Sequence, residues 1–132
     1  MEGLIIADTA LIIDYFADIP PYASAVSRLI ERDSLGITSI SVFELYAGIL
    51  GKKRLRQIED FVKKITIVPL GTIEAAAAGR IFTGLKAKGK LIGNQDILIA
   101  GICIVNSLPL LTKNVAHFAL IKDLKLISPE EI

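Results

Sequence analysis

The chain has little of what marks several protein classes. Of its 132 residues, one is cysteine, one is histidine and none is tryptophan. The lone cysteine, Cys103, permits no internal disulfide, and its apolar setting reads as a small core residue. There is no cysteine–histidine metal site and no glycine-rich phosphate loop. No proline-, serine- or glycine-rich stretch marks a linker, and no repeat is visible. The longest charge-free run, ILIAGICIVNSLPLL, is interrupted by Asn106, Ser107 and Pro109, and it is shorter than the roughly 20 residues that span a bilayer. The opening residues lack the basic start of a signal peptide, and Asp8 breaks the first apolar run. The expectation is a soluble cytoplasmic protein, one domain across residues 1–132.

What is present suits a packed core. Hydrophobic residues make up 52% of the chain and the mean hydropathy is +0.57, within the globular range and above average apolarity. A net charge of +1 neither announces nor excludes a polyanionic partner. Lys52, Lys53, Arg54 and Arg56 cluster, as do Lys86, Lys88 and Lys90. Such runs are more often solvated helix faces than binding sites.

Apolar periodicity sets the order of elements. GLIIA, residues 3–7, reads as a strand buried on both faces. A short helix over 9–17 ends at the Ile-Pro-Pro of 19–21, and helical spacing resumes over 22–33. Residues 36–38 suggest a second strand. Helices follow over 41–50 and 53–64, the latter basic and amphipathic. ITIVPL, 65–70, reads as a third strand, 74–88 as a long helix closed by Gly89, and 94–106 as a mostly apolar, buried helix. Pro109 to Leu111 suggests a fourth strand, 115–118 one helical turn, and 124–127 an edge strand. Strands alternating with helices predict an α/β domain with a mainly parallel sheet. Ligands of such sheets sit beyond the carboxyl ends of the strands, which is where Asp8 falls.

Three acids stand near predicted helix starts. Asp8 also fits a helix N-cap. Ser41-Val42-Phe43-Glu44 fits a capping box, with Ser41 bonding forward and Glu44 back. Asn94 fits an N-cap, and Asp96 in the following turn complements the helix dipole. Each local reading stands alone, but the three together suggest more. Carboxylates that converge repel one another, and a divalent cation relieves that repulsion. Mg²⁺ prefers hard oxygen ligands and retains water, so few carboxylates suffice. With water and phosphate bound, such an ion can activate a nucleophile and stabilise a leaving oxygen.

Four stretches in order, ADTALIIDYF, ISVFELYAGI, LIGNQDILIAGI and LLTKNVAHF, resemble the PIN-domain ribonucleases, and within them the VapC-type toxins of toxin–antitoxin pairs. The resemblance runs along nearly the whole chain. It implies a three-layer α/β/α sandwich with a parallel sheet of four or five strands. It also implies Mg²⁺- or Mn²⁺-dependent cleavage of RNA, commonly by a homodimer silenced by a cognate antitoxin. Asp8, Glu44 and Asp96 match the family's first three acids and so its metal ligands. The fourth position, in Thr112-Lys113-Asn114, holds Asn114, an amide able to orient a water but not to add charge. Thr112 precedes it as in the family pattern. Thr9 matches a recurring hydroxyl that positions Asp8 or a water.

The remaining polar residues read as structural. Asp14 is expected to be solvated or peripheral, His117 to serve a short turn, and Arg80 and Lys86 to be exposed. Two rivals remain. One is a catalytically silent PIN-like binding module. The other is a receiver-type signalling domain, disfavoured because no adjacent acidic pair follows the first strand.

Overall fold

Neighbouring residues along each short strand face opposite cores, and this alternation organises the molecule. The structure, a computed structural model, describes residues 3–132. Its strands are β1 (Ile5–Ala7), β2 (Leu35–Thr38), β3 (Thr66–Val68), β4 (Leu110–Leu111) and β5 (Leu126–Ile127). They form one sheet in the order β3-β2-β1-β4-β5, and every pairing is parallel. The helices are α1 (Thr9–Phe16), α2 (Tyr22–Glu31), α3 (Ser39–Ala47), α4 (Gly51–Lys64), α5 (Thr72–Ala87), α6 (Asn94–Val105) and α7 (Val115–Phe118), followed by a 3-10 turn at Pro129–Glu131.

Ile6 and Leu110 point into a core shared with Ala78 and Leu85 of α5 and with Ile99 and Ile102 of α6. Their neighbours Ala7 and Leu111 point the other way, to Leu11 and Ile12 of α1, Leu29 of α2 and Phe61 of α4. Strands buried on both faces cannot show hydrophobic–polar alternation, which is why GLIIA reads as a continuous apolar run. The result is the expected α/β/α sandwich. Among the described residues, no helix is long and apolar enough to cross a membrane.

The close seam of one layer depends on Gly101. A Cβ there would lie 2.9 Å from both the backbone nitrogen of Ala78 and the carbonyl oxygen of Glu74. Glycine therefore lets α6 meet α5 backbone to backbone.

Three local expectations are corrected. Helix α3 starts at Ser39, capped by Thr38, whose Oγ1 accepts from the Ser41 backbone nitrogen at 3.2 Å. Ser41 and Glu44 form no capping box, because both side chains are turned toward α1. Helix α6 is capped by the Gly93 backbone without a side-chain bond, leaving Asn94 as its first helical residue. Asp14 is not solvated: it is 7% exposed and paired with Lys113.

Candidate active site

The first apolar strand ends on a carboxylate because the sheet continues past it by hydrogen bonds. The Asp8 backbone nitrogen donates to the Leu111 carbonyl at 3.0 Å, so Asp8 extends the β1–β4 pairing. Asp8 is 8% exposed, and its side chain caps α1 by accepting from the Thr9 backbone nitrogen at 2.8 Å. The other carboxylate oxygen accepts from the Thr112 hydroxyl at 2.8 Å. The N-cap reading of Asp8 therefore holds, and the same carboxylate also faces the sheet's carboxyl edge.

Glu44 is placed by hydroxyls from two elements. Thr9 Oγ1 lies 2.8 Å from Glu44 Oε1 and 2.8 Å from Ser41 Oγ. A hydroxyl has one proton to give and an ionised carboxylate only accepts. Thr9 therefore donates to Glu44, and Ser41 donates to Thr9. The Ser41–Thr9–Glu44 chain ties α3 to the start of α1. Thr9 thus bonds both acids, its backbone nitrogen reaching Asp8 and its hydroxyl Glu44. Ser41 joins it through a contact 32 residues away in sequence, which the local S-x-x-E pattern concealed.

Asp96 stands in the first turn of α6, half-buried. Desolvation raises its carboxyl above the usual range, and the negative charges of Asp8 and Glu44 raise it further. The neighbouring His117 and the Asn114 hydrogen bond pull the other way. The three acids thus sense one another across the carboxyl edge of the sheet. Asn114 Nδ2 reaches Asp96 Oδ2 at 3.5 Å and His117 Nδ1 at 2.7 Å. With the amide in this orientation, Asn114 donates to both and the facing imidazole nitrogen carries no proton. His117, read from the sequence as a turn residue, therefore touches a site residue. Arg80 and Lys86 are exposed on α5 as expected.

The donor set suits a hard cation. Asp8, Glu44 and Asp96 offer only carboxylate oxygens, and burial first, then the charges of Asp8 and Glu44, disfavour a bare Asp96 carboxylate that a cation would stabilise. Among the described residues, no three Asp, Glu, His or Cys side chains are gathered closely enough to enclose an ion by themselves. An ion here would keep much of its water, as Mg²⁺ commonly does.

Beside Glu44 opens a groove of about 240 Å³. Ile13 and Phe16 of α1, Leu45 of α3, and Leu50 and Ile58 at α4 give it an apolar floor, and Arg54 borders it. Arg54 stacks over the Phe16 ring at 5.1 Å. Ile13, Phe43 and Leu50 are exposed apolar residues.

Fold and site together define an α/β domain with an acidic centre at the carboxyl edge of a parallel sheet. The PIN domain family model matches residues 5–123, and the chain belongs to that family. It is 31% identical over 122 residues to Ribonuclease VapC1 of Methanocaldococcus jannaschii, covering 92% of this chain and 84% of the relative. It is 29% identical over 119 residues to Ribonuclease VapC19 of Mycobacterium tuberculosis, covering 89% and 94%. Among solved structures it resembles a chain of VapBC2 from Rickettsia felis, bound to a DNA fragment from their promoter. That match has a TM-score of 0.83 at 25% identity and covers 95% of this chain and 98% of that one. A chain of VapBC-1 from nontypeable Haemophilus influenzae gives 0.77 at 25% identity, covering 96% and 98%. The receiver-type rival falls with this assignment. Receivers use the strand order 2-1-3-4-5, whereas β1 here lies third, between β2 and β4.

Proposed function

We propose that this chain is a divalent-metal-dependent endoribonuclease, the toxin of a VapBC-type pair. One observation carries the reading: Asp8, Glu44 and Asp96 are joined by hydrogen bonds through shared residues, Thr9 bonding both Asp8 and Glu44 while Thr112 and Asn114 of one bend reach Asp8 and Asp96. Relatives named as VapC ribonucleases support it.

In this reading Asp8 and Asp96 hold Mg²⁺ or Mn²⁺, and Glu44 shares the ion directly or through water. Such a cation, when bound, makes water more acidic and offsets charge developing on the phosphate. The protein's part is placement. Thr112 fixes one Asp8 oxygen, Ser41 and Thr9 fix Glu44, and the Asn114 amide orients water or a phosphate oxygen. Lys52, Lys53 and Arg56 are exposed on α4 and neutralise RNA phosphates, so binding weakens as salt rises.

The partner in this reading is an antitoxin protein. The neighbours solved as VapBC complexes support that assignment, as does the apolar groove opening beside Glu44. A segment seated there would stand against the acidic site. A homodimer belongs to the same reading, with exposed Leu91, Val115 and Leu120 as apolar contact area, and light scattering tests it.

The test is cleavage of total RNA by partner-free protein with Mg²⁺, Mn²⁺ or EDTA. The proposal expects discrete products with metal and none in EDTA. Metal binding without cleavage of any RNA would instead establish the silent binding module.

A further inference from the structure

Asp14 is a buried acid that the proposed reaction leaves unused. Among the described residues its one side-chain partner is Lys113, whose Nζ donates to Oδ2 at 2.8 Å. The Asp14 side chain is 9% exposed and that of Lys113 is 44% exposed. A largely buried ion pair adds little net stability, because desolvating the charges offsets most of their attraction. Removing one partner, by contrast, strands the other. What distinguishes this pair is what Lys113 sits between.

Lys113 is the middle residue of the bend joining β4 to α7. On one side of it, Thr112 donates to Asp8 Oδ2 at 2.8 Å. On the other, Asn114 Nδ2 reaches Asp96 Oδ2 at 3.5 Å. The bend is drawn tight by the Asn114 backbone nitrogen, which donates to Thr112 Oγ1 at 3.0 Å. Its centre is fastened outward. The Lys113 ammonium reaches Asp14 on α1 and lies 5.9 Å from the ring centroid of Tyr22 on α2. Acids from two distant parts of the chain are thus held by the two ends of one anchored bend. The Asn114–Asp96 contact is already at the long limit of a hydrogen bond, so a small shift of the bend breaks it.

We infer that the Asp14–Lys113 pair is a positioning device for the acidic site, locking the 112–114 bend so that Asp8 and Asp96 keep their relative placement. The inference rests on the endoribonuclease reading for its catalytic consequence, but not for the anchoring itself. Neither residue touches the reacting phosphate. They act through Thr112 and Asn114.

Four variants test it: Lys113→Met, Asp14→Asn, the two combined, and Lys113→Arg. Hydrogen exchange at the Asn114 backbone amide, followed by NMR, reads the anchor without RNA. It should accelerate in both single variants and in the double, and return toward wild type in Lys113→Arg. Cleavage kinetics read the consequence. In both single variants kcat should fall by about 10- to 100-fold, the scale typical of residues that orient metal ligands, with KM for RNA little changed. The double variant strands no charge, so its melting temperature should recover while its kcat stays low.

A double variant that recovers kcat together with its melting temperature would make the pair merely structural and overturn the inference. So would a rise in KM for Lys113→Met while Asp14→Asn keeps its kcat, which would make Lys113 a direct RNA contact. Unchanged Asn114 exchange in every variant would overturn it whether or not RNA is cut. If wild type cuts no RNA and exchange still accelerates, the endoribonuclease reading fails and the anchor is upheld.

Discussion

The Thr112 hydroxyl donates to the Asp8 carboxylate at 2.8 Å, joining residues 104 positions apart in the chain. The same hydroxyl accepts from the Asn114 backbone nitrogen at 3.0 Å, so Thr112 mediates between the first and fourth positions of the candidate site. Thr112→Val should leave a partly buried donor, the Asn114 backbone nitrogen, and a buried acceptor, the Asp8 carboxylate, unsatisfied, at a cost of about 1–3 kcal/mol in stability. Cleavage should fall as well, while Thr112→Ser, which keeps the hydroxyl, should retain most of both. Urea melts and initial cleavage rates on the three proteins check this.

Asp96 should make stability depend on pH in the sense opposite to a salt-bridged acid. Its carboxyl is raised in the fold by desolvation and by Asp8 and Glu44, so the folded protein holds that proton more tightly than the unfolded chain. Its contribution is then fully destabilising once pH exceeds the raised value, and it is relieved as pH falls through that value toward the ordinary one. Asp96→Asn should therefore melt higher than wild type at neutral pH, with the gap closing as pH falls through the raised value and gone by about pH 4, near the ordinary carboxyl value. Melting curves across that range decide it, and a variant less stable at neutral pH would contradict the repulsion.

Mg²⁺ should raise the melting temperature of wild type by binding the folded state. The rise should be much smaller in Asp96→Asn. Equal shifts in both proteins would remove Asp96 from the cation site.

Gly101→Ala should destabilise the fold by about 1–3 kcal/mol, because the added methyl meets backbone atoms that cannot swing aside. Chemical denaturation measures it. An unchanged midpoint would show that α5 and α6 can separate without loss.

Much of the fold was legible because its signals are local. Continuous apolar runs marked β1 and α6, and the Ile-Pro-Pro at 19–21 separated α1 from α2. Asp8, Glu44, Asp96 and Asn114 stood out as candidates through short motifs whose order matched a family. What stayed hidden depends on distant partners. The S-x-x-E pattern at Ser41 and Glu44 satisfies the rule for a capping box, but Thr9 engages both side chains across the sheet edge. Asp14 lies on a helix of 8 residues, too short for its polar face to declare itself, and its partner lies 99 residues away. Gly101 within an apolar helix gave no sign of the backbone it meets, since that backbone belongs to another helix.

Cys103 should be chemically silent in the folded protein. It is fully buried, and burial pushes its thiol up to about 12, so almost no thiolate forms at neutral pH. A thiol reagent should react only at the rate of unfolding. Rapid labelling of native protein would contradict the packing of α6.

The central claim is that the acids at the sheet edge perform metal-dependent RNA hydrolysis. The most direct measurement is the cleavage rate of one mapped RNA bond across a Mg²⁺ titration, for wild type and Asp96→Asn prepared identically. The prediction is a rate that rises with Mg²⁺ and vanishes in EDTA for wild type, and near-complete loss in a variant that still folds. A variant cutting at the wild-type rate, or wild-type cutting that survives EDTA, would contradict it.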